Sequence, residues 1–176
     1  MIYMKKATKE DLERLVSIGR KTYRQAFSLQ NSSEVMMAYL QKAFSEDAVR
    51  RWFDQPTVLV YLAIRKSDEN VIGYLKLNLP PNQTDFNMEN SLEIERIYLL
   101  ANEKRKGYGQ QMISFAESVA RTCGAGLIWL GVWAENTKGI LFYQQMGYKI
   151  TGQHPFVMGH EIQTDYVMKK TLEGRV

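Results

Sequence analysis

The sequence predicts a single mixed α/β domain covering residues 1–176. Three observations carry this expectation. Apolar runs of strand period alternate with runs of helical period in the order β-α-α-ββ-β-α-β-α-ββ. A length of 176 residues, with 45% hydrophobic and 24% charged side chains, suits one ordinary globular domain. No internal repeat, low-complexity tract or Pro/Gly/Ser-rich linker divides the chain.

The elements follow in order. Met1 to Ala7 reads as a short strand. Thr8 reads as an N-cap, with Asp11 three residues on as its acidic first-turn partner, before a helix from about Lys9 to Phe27. Leu12, Leu15, Ile18, Tyr23 and Phe27 share its apolar face. Further helical stretches run from Ser32-Ser33 to Phe44 and from about Asp47 to Phe53. The residues then turn β-branched and aromatic. Thr57 to Arg65 and Val71 to Leu79 form a hairpin around the turn-like Ser67 to Asn70, and Pro80-Pro81-Asn82-Gln83 ends it. Ser91 to Leu100 is a strand, Gly109 to Thr122 a helix, Gly126 to Trp133 a strand and Asn136 to Met146 a helix. Two strands joined near Gly159-His160 close the chain.

Several classes drop out. No apolar run approaches the roughly 18 residues of a spanning helix, so a membrane role is not expected. The stretch from Met1 to Asp11 lacks an apolar signal-peptide core. A single cysteine, Cys123, allows no internal disulfide and points to a reducing, cytoplasmic setting; at a helix end it reads as buried packing. His154 and His160 are too few and too poorly spaced for a metal site, and His160 reads as a hairpin-tip residue. Trp129 and Trp133 read as core. The net charge of +4 suits nucleic acid or an anionic cofactor. No helix-turn-helix or zinc pattern accompanies it, so nucleic acid is not expected.

The local basic cluster explains the charge better. Lys104-Arg105-Lys106-Gly107-Tyr108-Gly109 lies between a strand and a helix. Glycines let the backbone turn tightly and approach a ligand, and the free amides of a helix start attract phosphate. The segment is neither a Walker loop nor a Rossmann fingerprint, because the glycine spacing fits neither.

About thirty residues on stands Asn136-Thr137-Lys138-Gly139-Ile140-Leu141-Phe142-Tyr143-Gln144-Gln145-Met146-Gly147-Tyr148. A basic x-x-Gly-x-Gly loop after a strand, then Asn with Phe-Tyr beyond it and Gly-aromatic after that, resembles the GNAT superfamily of acetyl-CoA-dependent N-acetyltransferases. Lys104 holds the place where the family usually has Arg or Gln; a lysine keeps the charge without the guanidinium geometry. The segments Ser91–Tyr98, Ile128–Asn136 and Thr151-Gly152 through His154, Met158-Gly159 and Gln163-Thr164-Asp165 resemble bacterial spermidine/spermine N-acetyltransferases of the PaiA type. The resemblance implies a single-domain GNAT fold: a mixed, mostly antiparallel central sheet of about seven strands, flanked by helices and split between its two central strands. It implies acetyl-CoA as co-substrate, no metal, and a polyamine acceptor such as spermidine or spermine. Another small amine, a protein N-terminus, or CoA-binding regulation without turnover are the alternatives. A homodimer is compatible with the family, but no interface is legible in the sequence.

Site residues follow from the same resemblance. Lys104, Arg105, Lys106, Gly107, Tyr108, Gly109 and Gln110 are expected to hold the pyrophosphate. Ile97, Tyr98 and Leu99 are expected to pair with the pantetheine amides, and Asn136 to contact the CoA arm while capping its helix. Tyr143 matches the family's general acid: a phenol is protonated at neutral pH and can donate to a departing thiolate. A primary ammonium titrates near 10.4 in the manner of lysine, so a base is needed. Glu95 resembles the acidic residue of polyamine acetyltransferases and Glu93 that of histone-type relatives. Glu95 is expected to act as base through water, with Glu93 binding or supporting. Strand alternation puts both on one side, shared with Ile97 and Leu99, unless a bulge intervenes. Glu34, Glu46, Asp47, Glu135 and Asp165, with Tyr39 and Trp52 as aromatic faces, are candidates for the cationic acceptor. The helical segment from Ser32 to Phe53 is expected to shape its groove.

Overall fold

A computed structural model describes residues 1–158 and 160–172. Seven strands form one sheet: β1 (Ile2–Lys6), β2 (Val58–Arg65), β3 (Val71–Asn78), β4 (Ser91–Leu99), β5 (Leu127–Trp133), β6 (Lys149–Met158) and β7 (Glu161–Thr171). Their spatial order is β1-β2-β3-β4-β5-β7-β6. The helices are α1 (Leu12–Phe27), α2 (Ser33–Ala43), α3 (Glu46–Arg50), α4 (Tyr108–Thr122) and α5 (Thr137–Gln145). The mixed, mostly antiparallel seven-stranded sheet agrees with the expectation. Among the described residues, no helix is long and apolar enough to cross a membrane. Gly159, expected at the last hairpin tip, lies outside the described residues; His160 is in that turn.

Alternation along the strands sends apolar side chains to two cores. On one face Leu75, Leu77, Leu92, Ile94, Ile128 and Leu130 pack with Met112, Ile113 and Ala116 of α4. On the other, Val60, Leu62 and Tyr74 meet Leu15, Ile18 and Tyr23 of α1 and Leu40, Phe44 and Val49 around α2 and α3. Gly19 admits Phe44 there, since a Cβ at residue 19 would clash with the phenyl ring. A 3-10 turn, Lys9–Asp11, precedes α1. Asp11 accepts from the Thr8 amide at 3.1 Å and from Lys5 at 2.9 Å, so the acidic partner expected for Thr8 also ties the helix start to β1.

Two irregularities create the site. β4 and β5 are parallel, and their pairing runs only from Ser91 to Ile94 against Leu127 to Leu130. Beyond Ile94 that edge of β4 has no strand partner among the described residues, which is the split. The second irregularity is a bulge. Lys76 pairs with Arg96 but Leu77 with Ile94, so Glu95 is skipped. The extra residue reverses the parity of the strand. Ile97 and Leu99 pack toward the α4 core, while Glu93 and Glu95 both meet Asn78 on β3. The expected sharing of a face by these carboxylates with Ile97 and Leu99 is therefore corrected. Cys123 is corrected as well: it caps the outer end of α4 and is exposed.

Candidate active site

A cleft of about 1490 Å³ opens at the split. At one end lies the basic loop. Arg105 and Gly107 both have left-handed backbone, at φ 64° and 77°. Gly107 is the N-cap of α4, and a Cβ there would meet nothing within 4 Å. Successive amides around a left-handed N-cap form a concave donor surface of the kind that binds phosphate. Lys104, Arg105, Gly107, Gly109 and Gln110 line the cleft; Lys106 and Tyr108 do not. Lys106 instead donates to Glu103 at 3.1 Å, and Arg65 donates to the same buried carboxylate at 2.6 Å. Burial opposes the Glu103 charge, but these two cations outweigh it and hold the carboxyl below its ordinary value. Lys106 thus braces the loop through its side chain. Tyr108 packs against the α4 core.

The open edge of β4 comes next. The Leu100 amide bonds the Ile72 carbonyl at 2.9 Å. Backbone groups alternate sides along a strand, so Ile97 and Leu99 turn theirs toward the cleft and Tyr98 turns its own toward β3. Asn136 caps α5, its Oδ1 accepting from the Gly139 amide at 3.0 Å. The Tyr143 side chain reaches the cleft from α5, and its hydroxyl has no hydrogen-bond partner among the described residues. Burial alone pushes the phenol up to about 12, so it stays protonated across the neutral range.

The carboxylates stand where the sheet parts. Glu93 is 2% exposed. It accepts from the Thr84 amide at 3.0 Å, from the Thr84 hydroxyl, and from Asn78 Nδ2 at 2.9 Å. Glu95 pairs with Lys76, accepts from Asn78 Nδ2 at 2.7 Å and lies 3.5 Å from Arg96 Nε. Their environments push them apart. Burial raises the Glu93 carboxyl, and the neighbouring Glu95 charge adds to it, against the hydrogen bonds from Thr84 and Asn78. Burial works against ionised Glu95 too, but the charges of Lys76 and Arg96 prevail and hold it below the usual range. Two carboxyls separated in this way are the pattern of a proton-exchanging group beside a fixed anion.

Across the cleft, His154 Nε2 on β6 lies 3.2 Å from Asp85. Asp165 on β7 is raised by burial, with His154 opposing and Asp85 adding. Gly131 on β5 leaves room there: a Cβ would lie 3.4 Å from His154 Nε2 and 3.7 Å from Asp165 Oδ2. Of the expected acceptor residues, Tyr39, Glu135 and Asp165 line the cleft. Glu34, Glu46 and Asp47 are exposed outside it. The Trp52 ring takes the protein's own Lys76 ammonium at 5.1 Å. Within residues 32–53, Tyr39 alone reaches the cleft. Trp129 is fully buried as expected, whereas Trp133 is half-buried and lines the cleft.

The sequence reading missed Lys76, Asn78 and Thr84. A signal existed: Lys76 and Asn78 are the polar members of the otherwise apolar run Leu75 to Leu79, two residues apart and so on one face. Among the described residues, no group of three or more His, Cys, Asp or Glu could hold a metal.

Comparison with known proteins agrees with this fold. A solved structure described as PaiA N-acetyltransferase from Thermoplasma acidophilum in complex with coenzyme A superposes with a TM-score of 0.79 at 22% identity, over 98% of this chain and 99% of that one. A curated spermidine N(1)-acetyltransferase of Thermoplasma acidophilum is 22% identical over 175 residues, covering 98% of this chain and 99% of its own. An uncharacterized N-acetyltransferase in the pepI 3′ region of Lactobacillus delbrueckii subsp. lactis is 36% identical over 165 residues, 94% of each chain. Residues 23–148 match the family model for GNAT acetyltransferases. With the split sheet and left-handed loop, that match places the chain in the acetyltransferase (GNAT) family.

Proposed function

We propose that the chain transfers acetyl from acetyl-CoA to a primary amine, and that the acceptor is a polyamine such as spermidine. One observation carries the reading: a buried carboxylate pair, a tyrosine hydroxyl without a partner among the described residues, and a left-handed amide-rich loop open into one cleft. Acetyl-CoA, when bound, supplies an activated thioester. The amides of residues 105–110, with Lys104 and Arg105, hold the pyrophosphate, and the outward backbone groups of Ile97 and Leu99 align the pantetheine arm. Asn136 borders the same arm while capping α5.

Glu93, rather than Glu95, takes a proton from the acceptor ammonium, and its raised affinity for protons suits it to do so. The freed amine attacks the thioester carbon. The C–N bond forms, the C–S bond breaks, and the electron pair leaves on sulfur, toward which Tyr143 donates a hydrogen bond. The second proton lost by nitrogen goes to the thiolate, and Glu93 returns its own to water. Asp165, Glu135 and Asp85 along the cleft supply negative charge for a polycation. The spermidine acetyltransferase among the relatives supports the same acceptor. The lone exposed thiol of Cys123 suits a reducing cytoplasm.

The test is an acetyl-CoA-dependent assay against spermidine, spermine, other small amines and N-terminal peptides. Spermidine turnover is expected. Turnover on peptides alone would overturn the polyamine acceptor, and coenzyme A binding with no turnover on any amine would overturn the enzymatic reading.

A further inference from the structure

Lys76 sits where a lysine is unfavourable. It occupies a central strand between Leu75 and Leu77 and is 8% exposed. Its ammonium lies over the Trp52 ring and pairs with Glu95. Burial lowers its proton affinity, with the Glu95 charge opposing. A buried ion pair is weak evidence for stability, because apolar residues of similar size often serve as well. The arrangement does something else. The bulge carries Glu95 out of register and lets it reach Lys76, while its other oxygen faces Arg96. Asn78, fully buried, then donates one nitrogen to Oε2 of both Glu95 and Glu93.

We propose that Lys76 is a positioning residue for acetyl transfer: it fixes Glu95 as a permanent anion, which Asn78 clamps to Glu93, so that proton exchange with the acceptor falls to Glu93. The proposal rests on the acetyltransferase reading above. The titratable and charged groups that face the pair are Lys76 and Tyr74 from β3 and Arg96 from β4. Asp85 of the adjoining loop is engaged by His154 of β6, and Asp165 of β7 lies beyond them. Lys76 is therefore the one cation that β3 brings to the carboxylates among the described residues. It acts on both, directly on Glu95 and through its field on Glu93.

The experiment is the pH dependence of kcat/KM with one fixed amine, for which the acceptor's own titration is common to all variants. Lys76→Met and Lys76→Gln remove the positive charge. Both are expected to move the acidic limb upward, by up to about one pH unit, because Lys76 pairs with Glu95 and reaches Glu93 only through its field. Lys76→Arg keeps the charge and is expected to keep the limb. Lys76→Gln can still hydrogen-bond Glu95, so it carries the test should the methionine variant fold poorly. Glu93→Gln separates the two levels. If it abolishes the limb while the neutral Lys76 variants leave the limb in place, Lys76 is structural and the proposal falls, with Glu93 still the base. If it leaves the limb intact, the assignment of Glu93 falls, and with it the proposed division of labour. A reduced kcat with an unmoved limb in both neutral variants also overturns the proposal.

Discussion

Replacing Tyr143 by phenylalanine isolates one hydroxyl. Burial pushes the phenol up to about 12. An ordinary thiol titrates near 8.5. The gap of about 3.5 pH units makes complete proton transfer to a departing thiolate uphill by roughly 5 kcal/mol. Tyr143 therefore serves better as a hydrogen-bond donor to developing negative charge than as a full acid. A hydrogen bond to a charged group contributes about 1.5–3 kcal/mol, so Tyr143→Phe should lower kcat about 10- to 150-fold. Because the interaction grows as sulfur departs, KM for acetyl-CoA should change little. The hydroxyl has no partner among the described residues, so the melting temperature should hold. Initial rates of free-thiol release, with a thermal melt of each protein, provide the measurement. A wild-type rate would remove Tyr143 from the chemistry. A loss beyond about ten-thousandfold without loss of fold would mean that the proton itself is transferred.

Other expectations concern the loop and the core. Gly107→Val forces a β-branched residue to φ 77°, a strain of about 1–3 kcal/mol, and should raise KM for acetyl-CoA at least tenfold. Gly107→Asn, which tolerates that conformation, should retain more affinity if strain dominates, and equal losses would point to blocked backbone approach. Glu103→Gln releases Arg65 and Lys106 from their shared anchor, and should raise the same KM while leaving kcat near wild type; an unchanged KM would mean the loop holds without that brace. Gly19→Ala gains about 1 kcal/mol of helix propensity but drives a methyl into Phe44, and overpacking costs about 1–3 kcal/mol. Its melting temperature should fall by a few degrees, and a rise would show that Phe44 can move aside.

The elements were legible because their signals are local. The apolar face of α1, the turn residues between β2 and β3, and Asn136 before α5 each act within a few residues, and the structure puts helices, hairpin and cap there. The glycine turn before α4 is legible for the same reason. What the sequence concealed depends on register. One skipped residue at Glu95 decides which face the carboxylates occupy, and no composition or period announces it. The same bulge brings Glu95 to Lys76, 19 residues earlier, and to Asn78, which already stands across the ladder from Glu93. Cys123 and Trp133 were misread because average burial preferences say nothing about which side of a helix end, or which end of a strand, meets solvent.

A crystal structure with coenzyme A bound would test the central claim most directly. Diphosphate oxygens within hydrogen-bond distance of the amides of residues 105–110, and sulfur near the Tyr143 hydroxyl on the side of Glu93, are the predicted result. A diphosphate bound elsewhere, with the left-handed turn closed by its own side chains, would contradict it.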